Sequence, residues 1–185
     1  DSADALRAAV PADRLTVLPL DVSLLSSVRG FSDGVITALQ GRKIDGLGLN
    51  AGLQFTGPQG HTTEGVEISF ATNHLGHYLL AHILLPFMAE GSIVASTCSG
   101  THDPDEKLAA MFGFRGALFP SAERVAQGDL CDEPVSDAQA GMDLYATSKL
   151  CNIYFVRDMA KRMDGAKVRF VGLDPGLMAG TGLAR

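Results

Sequence analysis

Short runs rich in leucine and β-branched residues alternate along this chain with longer stretches whose apolar residues recur every third or fourth position, and that alternation leaves few folds open. The run RLTVLPLDV, ended by Asp21, reads as a strand buried on both faces, which predicts a parallel sheet. SLLSSVRGFSDGVITALQ follows with helical spacing and Ser23 as its N-cap. KIDGLGLNAG is again strand-like, though weakened by Gly46 and Gly48, and EGVEISFATNHLGHYLLAHILLPFM is a long helical pattern. GSIVASTC makes a third strand, DLYATSKLCNIYFVRDMAKRM a helix with a basic last turn, and AKVRFVGLDPG a fourth strand stopped by Pro175 and Gly176. A helix over ADALRAAV precedes them all. Strands alternating with helices predict a doubly wound α/β sheet, with residues 1–185 as one domain.

The rhythm breaks between Ser99 and Met142, where Gly, Pro and Asp are frequent and no strand pattern occurs. Loops of this length tend to be lids or binding loops, so 100–141 is expected to be a substrate-facing flap, with a short helix at SAERVAQ.

With 185 residues, 46% hydrophobic and 19% charged, the chain has the composition of a globular domain. A net charge of −6 and the absence of a basic cluster argue against nucleic acid as a partner. The apolar stretch HYLLAHILLPFMA is too short to span a bilayer and is interrupted by histidines and Pro86. Cys98, Cys131 and Cys151 are odd in number and lack C-x-x-C spacing, which predicts reduced thiols and a cytoplasmic location.

Tyr145 and Lys149 stand four residues apart, so on a helix they share a face and reach one ligand. A neighbouring ammonium favours tyrosinate and is expected to lower the phenol's pKa towards working pH, as general acid or base catalysis requires. The spacing alone also arises on ordinary surface helices.

The surrounding motifs carry more. YATSK, LNAG, TNHLGH and LDPGLMAGTGLAR occur in the order in which the short-chain dehydrogenase/reductase family presents its Tyr-x-x-x-Lys, Asn-Ala-Gly turn, helix asparagine and Pro-Gly loop followed by threonine. The chain resembles that family over most of its length. The resemblance implies a Rossmann-like fold, an NADP or NAD cofactor and hydride transfer between nicotinamide and a carbonyl or alcohol. It implies that Tyr145 exchanges a proton with the substrate oxygen, that Lys149 tunes Tyr145 and holds the nicotinamide ribose, and that Asn73 positions a water in a proton relay reaching Lys149. Asn73 also reads, in its own right, as a helix asparagine at a kink. By the same resemblance Asn50, Ala51 and Gly52 approach the cofactor, Asp21 and Val22 face the adenine, and Pro175, Gly176 and Thr181 line the nicotinamide and pyrophosphate side. A homo-oligomer is a further implication.

The serine that polarises the substrate oxygen in that family is harder to place, because ASTCSG offers several hydroxyls and a thiol. Strand alternation puts Thr97 and Ser99 on one face and Ser96 and Cys98 on the other. Ser99, immediately before Gly100, is the first choice, Thr97 the second, and Cys98 a poorer donor.

His74 and His77 have helical spacing, but no carboxylate or thiol completes a metal site beside them. His102, Asp103, Asp105 and Glu106 surround Pro104 in what reads as turn chemistry. No metal is assigned.

The insertion, NHLGHYLL and SKLCN resemble the branch containing retinol dehydrogenases and protochlorophyllide reductase, whose members often use NADP. Phe112, Phe114, Leu118 and Phe119 either cover an apolar substrate or anchor the insertion to the core. The largest departure is the glycine-rich turn after the family's first strand, which has no counterpart here, nor has the second strand. The chain is therefore expected to lack the first βαβ strands and the C-terminal end of the fold. Three functions follow: a carbonyl or alcohol oxidoreductase with Tyr145 as general acid or base, a protochlorophyllide-like carbon–carbon double-bond reductase, and a non-catalytic Rossmann-like interaction or sensing module.

Overall fold

A computed structural model of the protein describes residues 2–131, 136–165, 167–176 and 178. Helix α1 spans Ser2–Ala9, α2 Leu25–Leu39, α3 Ile68–Phe70, α4 Gly76–Leu84, α5 Lys107–Met111, α6 Ala122–Ala126 and α7 Asp137–Arg162. Strands β1 (Ile44–Leu49), β2 (Met88–Thr97) and β3 (Val168–Leu173) pair in that order, all parallel. Their carboxyl ends therefore lie along one edge of the sheet, the edge at which Rossmann-like folds build ligand sites.

The core forms where the inward residues of the strands meet the apolar stripes of α2, α4 and α7. Leu49, Val94, Val168 and Phe170 pack with Val28, Leu80, Leu84, Phe155 and Met159. On the opposite sheet face Val171 and Leu173 remain exposed.

The run expected as the first strand is a correction. Residues 15–20 form no strand, and Val17 and Leu20 are 43% and 37% exposed. A strand exists only by exchanging hydrogen bonds with a neighbour, and among the described residues β1 pairs with β2 alone. The run instead lies against α2, where Leu18 Cδ1 sits 3.2 Å from the position a Cβ would take at Gly34.

Ser23 is not the N-cap of α2. Its backbone N–H and hydroxyl donate to Asp21 Oδ1, at 3.0 and 2.7 Å. The free amides of Leu25 and Ser26 donate instead to the Glu64 carboxylate, at 2.6 and 3.0 Å. A full negative charge from a distant loop thus meets the positive end of the helix.

The expected long helix from Glu64 to Met88 is interrupted. Between α3 and α4, Ala71–Leu75 form a π-helical turn in which the Gly76 amide donates to Ala71 O, five residues back. Pro86 then sits in a 3₁₀ turn over Leu85–Phe87, and β2 starts at Met88. Gly91, at φ 76°, lies in β2 within a register irregularity against β1.

Helix α7 starts earlier than expected, so residues 137–141 belong to it rather than to the insertion. Ser136 caps it by accepting from the Gln139 amide at 3.1 Å. The remainder of the insertion contains a 3₁₀ turn at Gly100–His102, then α5, then α6 where SAERVAQ predicted a helix.

Candidate active site

Tyr145 and Lys149 project from the buried half of α7, and both side chains reach the carboxyl end of β2. Lys149 Nζ donates to Thr97 O at 3.0 Å and lies 5.6 Å from the centre of the Tyr145 ring. The Ser99 side chain stands near the Tyr145 hydroxyl, and its Oγ accepts from Thr101 Oγ1 at 3.1 Å. Thr97 is directed elsewhere, its Oγ1 donating to Asn50 Oδ1 at 2.9 Å. Cys98 is buried, 3.1 Å from where a Cβ would stand on Gly172. Of the hydroxyls and the thiol weighed from the sequence, Ser99 is the one brought to Tyr145.

The Asn-Ala-Gly turn follows β1 at the same edge. A Cβ on Gly52 would stand 3.3 Å from Asn73 Oδ1 and 3.5 Å from Lys149 Nζ, so the absent side chain lets this backbone approach the ammonium. Asn50 and Ala51 precede it on the surface. Asn73, fully buried in the π turn, accepts from the Leu53 amide at 2.8 Å and donates to Leu53 O at 2.9 Å and to Ser148 Oγ at 3.1 Å. Both amide hydrogens of Asn73 are thereby used in holding the turn against α7.

Pro175 and Gly176 close the site on the side of β3. Asp174 Oδ1 accepts from the Gly176 amide at 2.9 Å, and its Oδ2 lies 3.3 Å from the Cβ position of Gly100. The Pro-Gly loop is thus beside Ser99. Thr181 lies outside the described residues. Asp21 spends its carboxylate on Ser23, while Val22 O approaches Gly76 so closely that a Cβ there would overlap it.

The electrostatics differ from expectation at the phenol. Burial raises the Tyr145 pKa above its ordinary 10.0, partly offset by the nearby Ser99 side chain and reinforced by the Asp174 carboxylate. The Lys149 ammonium, which donates to Thr97 O, is not among the groups that shift it. Burial lowers the Lys149 pKa, opposed by Cys98 and Asp174. Tyr145 is consequently a neutral O–H donor at neutral pH.

The insertion lies along the outer face of α7. Arg115 grips the buried Asp143 carboxylate with two hydrogen bonds, at 3.0 and 2.7 Å, and Gln139 Nε2 adds a third at 2.9 Å. Leu118 donates its amide to Thr147 Oγ1 and accepts from the same hydroxyl, both at 3.0 Å. Phe114 meets the Tyr145 ring with centroids 6.0 Å apart, and Phe119 meets Tyr154 at 5.5 Å. Phe112 is 56% exposed. Of the aromatic cluster, Phe114 is therefore the member at the site. Asp143 and Thr147 were not singled out from the sequence, since polar residues at i and i+4 normally signal a solvent-facing stripe.

His74 and His77 are held inside. Nδ1 of His74 is 2.9 Å from Asn152 Oδ1, whereas Nδ1 of His77 is buried without a hydrogen-bond partner. Burial lowers both pKa values to about 4. Among the described residues no three His, Cys, Asp or Glu side chains cluster as a metal site. A separate cavity of about 300 Å³, lined in part by His61, Glu67, Gln127 and Asp143, does not include Tyr145. No helix among the described residues is long and apolar enough to cross a membrane.

No protein-family model matches the chain. It is 32% identical over 194 residues to the chloroplastic protochlorophyllide reductase of Cucumis sativus, covering 96% of this chain and 46% of that protein. The corresponding enzyme of Chlamydomonas reinhardtii is 32% identical over 199 residues, covering 98% and 47%. The chain thus spans about half the length of these curated relatives. Among solved structures, a carbonyl reductase from Pseudomonas aeruginosa PAO1 matches with TM-score 0.59 at 21% identity, covering 96% of this chain and 66% of that one. A short-chain dehydrogenase from Burkholderia cenocepacia in complex with NADP matches with TM-score 0.58 at 20% identity, covering 90% and 57%. These structures share the fold, while the curated relatives match nearly the whole of this sequence. The chain belongs to the short-chain dehydrogenase/reductase family.

Proposed function

We propose that the protein is an NADP- or NAD-dependent oxidoreductase acting on a carbonyl or alcohol, with Tyr145 as the proton donor. One observation carries this reading: the buried Tyr145 ring and the Lys149 ammonium, 5.6 Å apart, share a face of α7 at the strand edge where the Gly52 backbone approaches Lys149. A bound nicotinamide would supply the hydride to the carbonyl carbon. Tyr145 would pass its proton to the carbonyl oxygen, giving the alcohol, and Ser99 would hold that oxygen by a hydrogen bond. Lys149 has three N–H donors and uses one on Thr97 O, which leaves donors for a ribose diol. The nicotinamide and its sugar are assigned to the close backbone at Gly52 beside Lys149, with Asn50, Ala51, Pro175 and Gly176 assigned to the same end of the dinucleotide. Asp21, Val22 and Thr181 are assigned to the remainder of the dinucleotide, and Asn73 to holding the Gly52 turn in place. NADP is preferred because a fold relative carries it.

The substrate is assigned as apolar, on Phe114 beside Tyr145 and on the exposed Phe112. Residues 1–185 act as one partial Rossmann-like unit in which the insertion from residue 100 up to the start of α7 is the substrate-facing flap. The free thiols Cys98, Cys131 and Cys151 suit a reducing compartment such as the cytoplasm, and self-association through the helices is part of the reading. The names of the curated relatives favour a second reading, reduction of a carbon–carbon double bond in a protochlorophyllide-like substrate.

The test is turnover of a panel of apolar aldehydes, ketones and a protochlorophyllide with NADPH and NADH, in the parent protein and in Tyr145→Phe. Carbonyl reduction lost in the variant supports the first reading. Double-bond reduction alone supports the second, and undiminished turnover in Tyr145→Phe overturns the role of Tyr145.

A further inference from the structure

Asn152, one turn beyond Lys149 on α7, is buried and uses every polar atom of its side chain. Its Nδ2 donates to Asn73 O at 3.1 Å and to Thr97 O at 3.3 Å, and its Oδ1 faces His74 Nδ1 at 2.9 Å. Thr97 O is also the acceptor for Lys149 Nζ. One backbone carbonyl therefore joins the amide to the ammonium. The other, of Asn73, lies in the π-helical turn whose asparagine side chain holds the backbone next to Gly52.

These bonds fix the state of His74. The carbonyls of Asn73 and Thr97 only accept, so the NH₂ of Asn152 must face them and its Oδ1 must face the imidazole. An oxygen there requires His74 to carry its proton on Nδ1. With its pKa lowered to about 4 by burial, His74 is neutral at ordinary pH and is held in that one tautomer. A flipped amide would set its oxygen against two carbonyl oxygens and its NH₂ against an N–H.

We propose that Asn152 is a positioning residue of the site, holding the Asn73 and Thr97 carbonyls, and that His74 sets the direction of its amide. The proposal rests on reading Tyr145 and Lys149 as the reacting pair. Asn152 touches neither substrate nor cofactor; it acts on Lys149 through the Thr97 peptide and on the Gly52 turn through the Asn73 peptide.

Two measurements test it. Nitrogen-15 NMR of the parent protein between pH 6 and pH 9 should find His74 as the Nδ1–H tautomer and the Asn152 side-chain hydrogens slow to exchange. The Nε2–H tautomer would overturn the proposal without any variant. In the active protein, Asn152→Ala should lower kcat by about 10- to 100-fold with little change in KM for substrate, as expected when reacting groups are misplaced rather than removed. His74→Ala should lower kcat in the same manner, and His74→Asn, which restores a donor near the Nδ1 position, should recover most of it. Unchanged kcat in Asn152→Ala, beside an inactive Tyr145→Phe, would leave the site intact and overturn this inference alone. If Tyr145→Phe keeps its turnover, the reading beneath it fails instead.

Discussion

Arg115 and Asp143 meet through a two-pronged ion pair, at 3.0 and 2.7 Å, that joins the insertion to the outer face of α7 two residues before Tyr145. The carboxylate is buried and the guanidinium is partly open to solvent. Screening is therefore weaker than for a surface pair, and the fixed fork of arginine adds direction to the attachment. Phe114 precedes Arg115 directly, so the ion pair also sets where the Phe114 ring lies against Tyr145.

Asp143→Ala should thus cost about 1–3 kcal/mol of stability, because Arg115 and Gln139 both lose a buried acceptor. Urea denaturation measures the loss. Limited proteolysis of the folded variant should cut more quickly between residues 112 and 120 than in the parent. An unchanged cutting rate there would show that the insertion is held by its other contacts.

Two helical glycines give a sharper contrast. Gly76 lies so close to Val22 O that a Cβ would overlap it, whereas nothing lies within 4 Å of the Cβ position of Gly30. Gly76→Ala should destabilise by about 2 kcal/mol or more, since backbone rather than a flexible side chain must move. Gly30→Ala, in the interior of α2, should stabilise by about 0.5–1 kcal/mol through its helix propensity. Thermal or urea melts of both variants decide this. Equal effects would show that the Val22 loop yields easily.

The contrast between these glycines also shows what a sequence can carry. Strand–helix alternation and the position of Tyr145 four residues before Lys149 are local patterns, and they sufficed for β1, β2, β3 and for the face of α7 that holds the site. Local pattern failed where a distant partner decides the outcome. Residues 15–20 have the composition of a strand but pair with no neighbour among the described residues. Ser23 looks like a cap but is outbid by Glu64, which the fold brings from far along the chain. Asp143 and Thr147 look solvent-facing, and only the path of the insertion buries them. The direction of the Tyr145 shift failed for a related reason, since helical spacing sets neighbours but not the depth of burial or where the Lys149 ammonium points.

Acid should destabilise the fold through the buried His77 and the partly buried His74. His74 and His77 fall from 6.5 to about 4 on folding, so the unfolded chain binds more protons between those values. Their contribution is complete above pH 6.5 and is lost as pH falls towards 4. Each pKa unit corresponds to about 1.4 kcal/mol, so the combined loss is several kcal/mol. His77→Leu should flatten this acid limb without abolishing it, because His74 remains. A urea midpoint as steep in pH as that of the parent would mean that His77 protonates without unfolding.

The alkaline limb should belong in part to Tyr145. Its pKa is raised on folding, so the folded protein holds the phenolic proton more tightly than the unfolded chain does. The stability from this group is complete below the ordinary phenol value of 10.0 and is lost as pH rises through the higher folded value. In Tyr145→Phe that pH dependence disappears, while the ring contact with Phe114 and the packing of α7 are kept. The same substitution removes the proposed proton donor, and turnover should fall by about 10²–10⁴-fold with cofactor affinity nearly unchanged. Together the two measurements separate a structural tyrosine from a reacting one. A variant that loses its alkaline destabilisation yet turns over like the parent would show a buried phenol that takes no part in the chemistry.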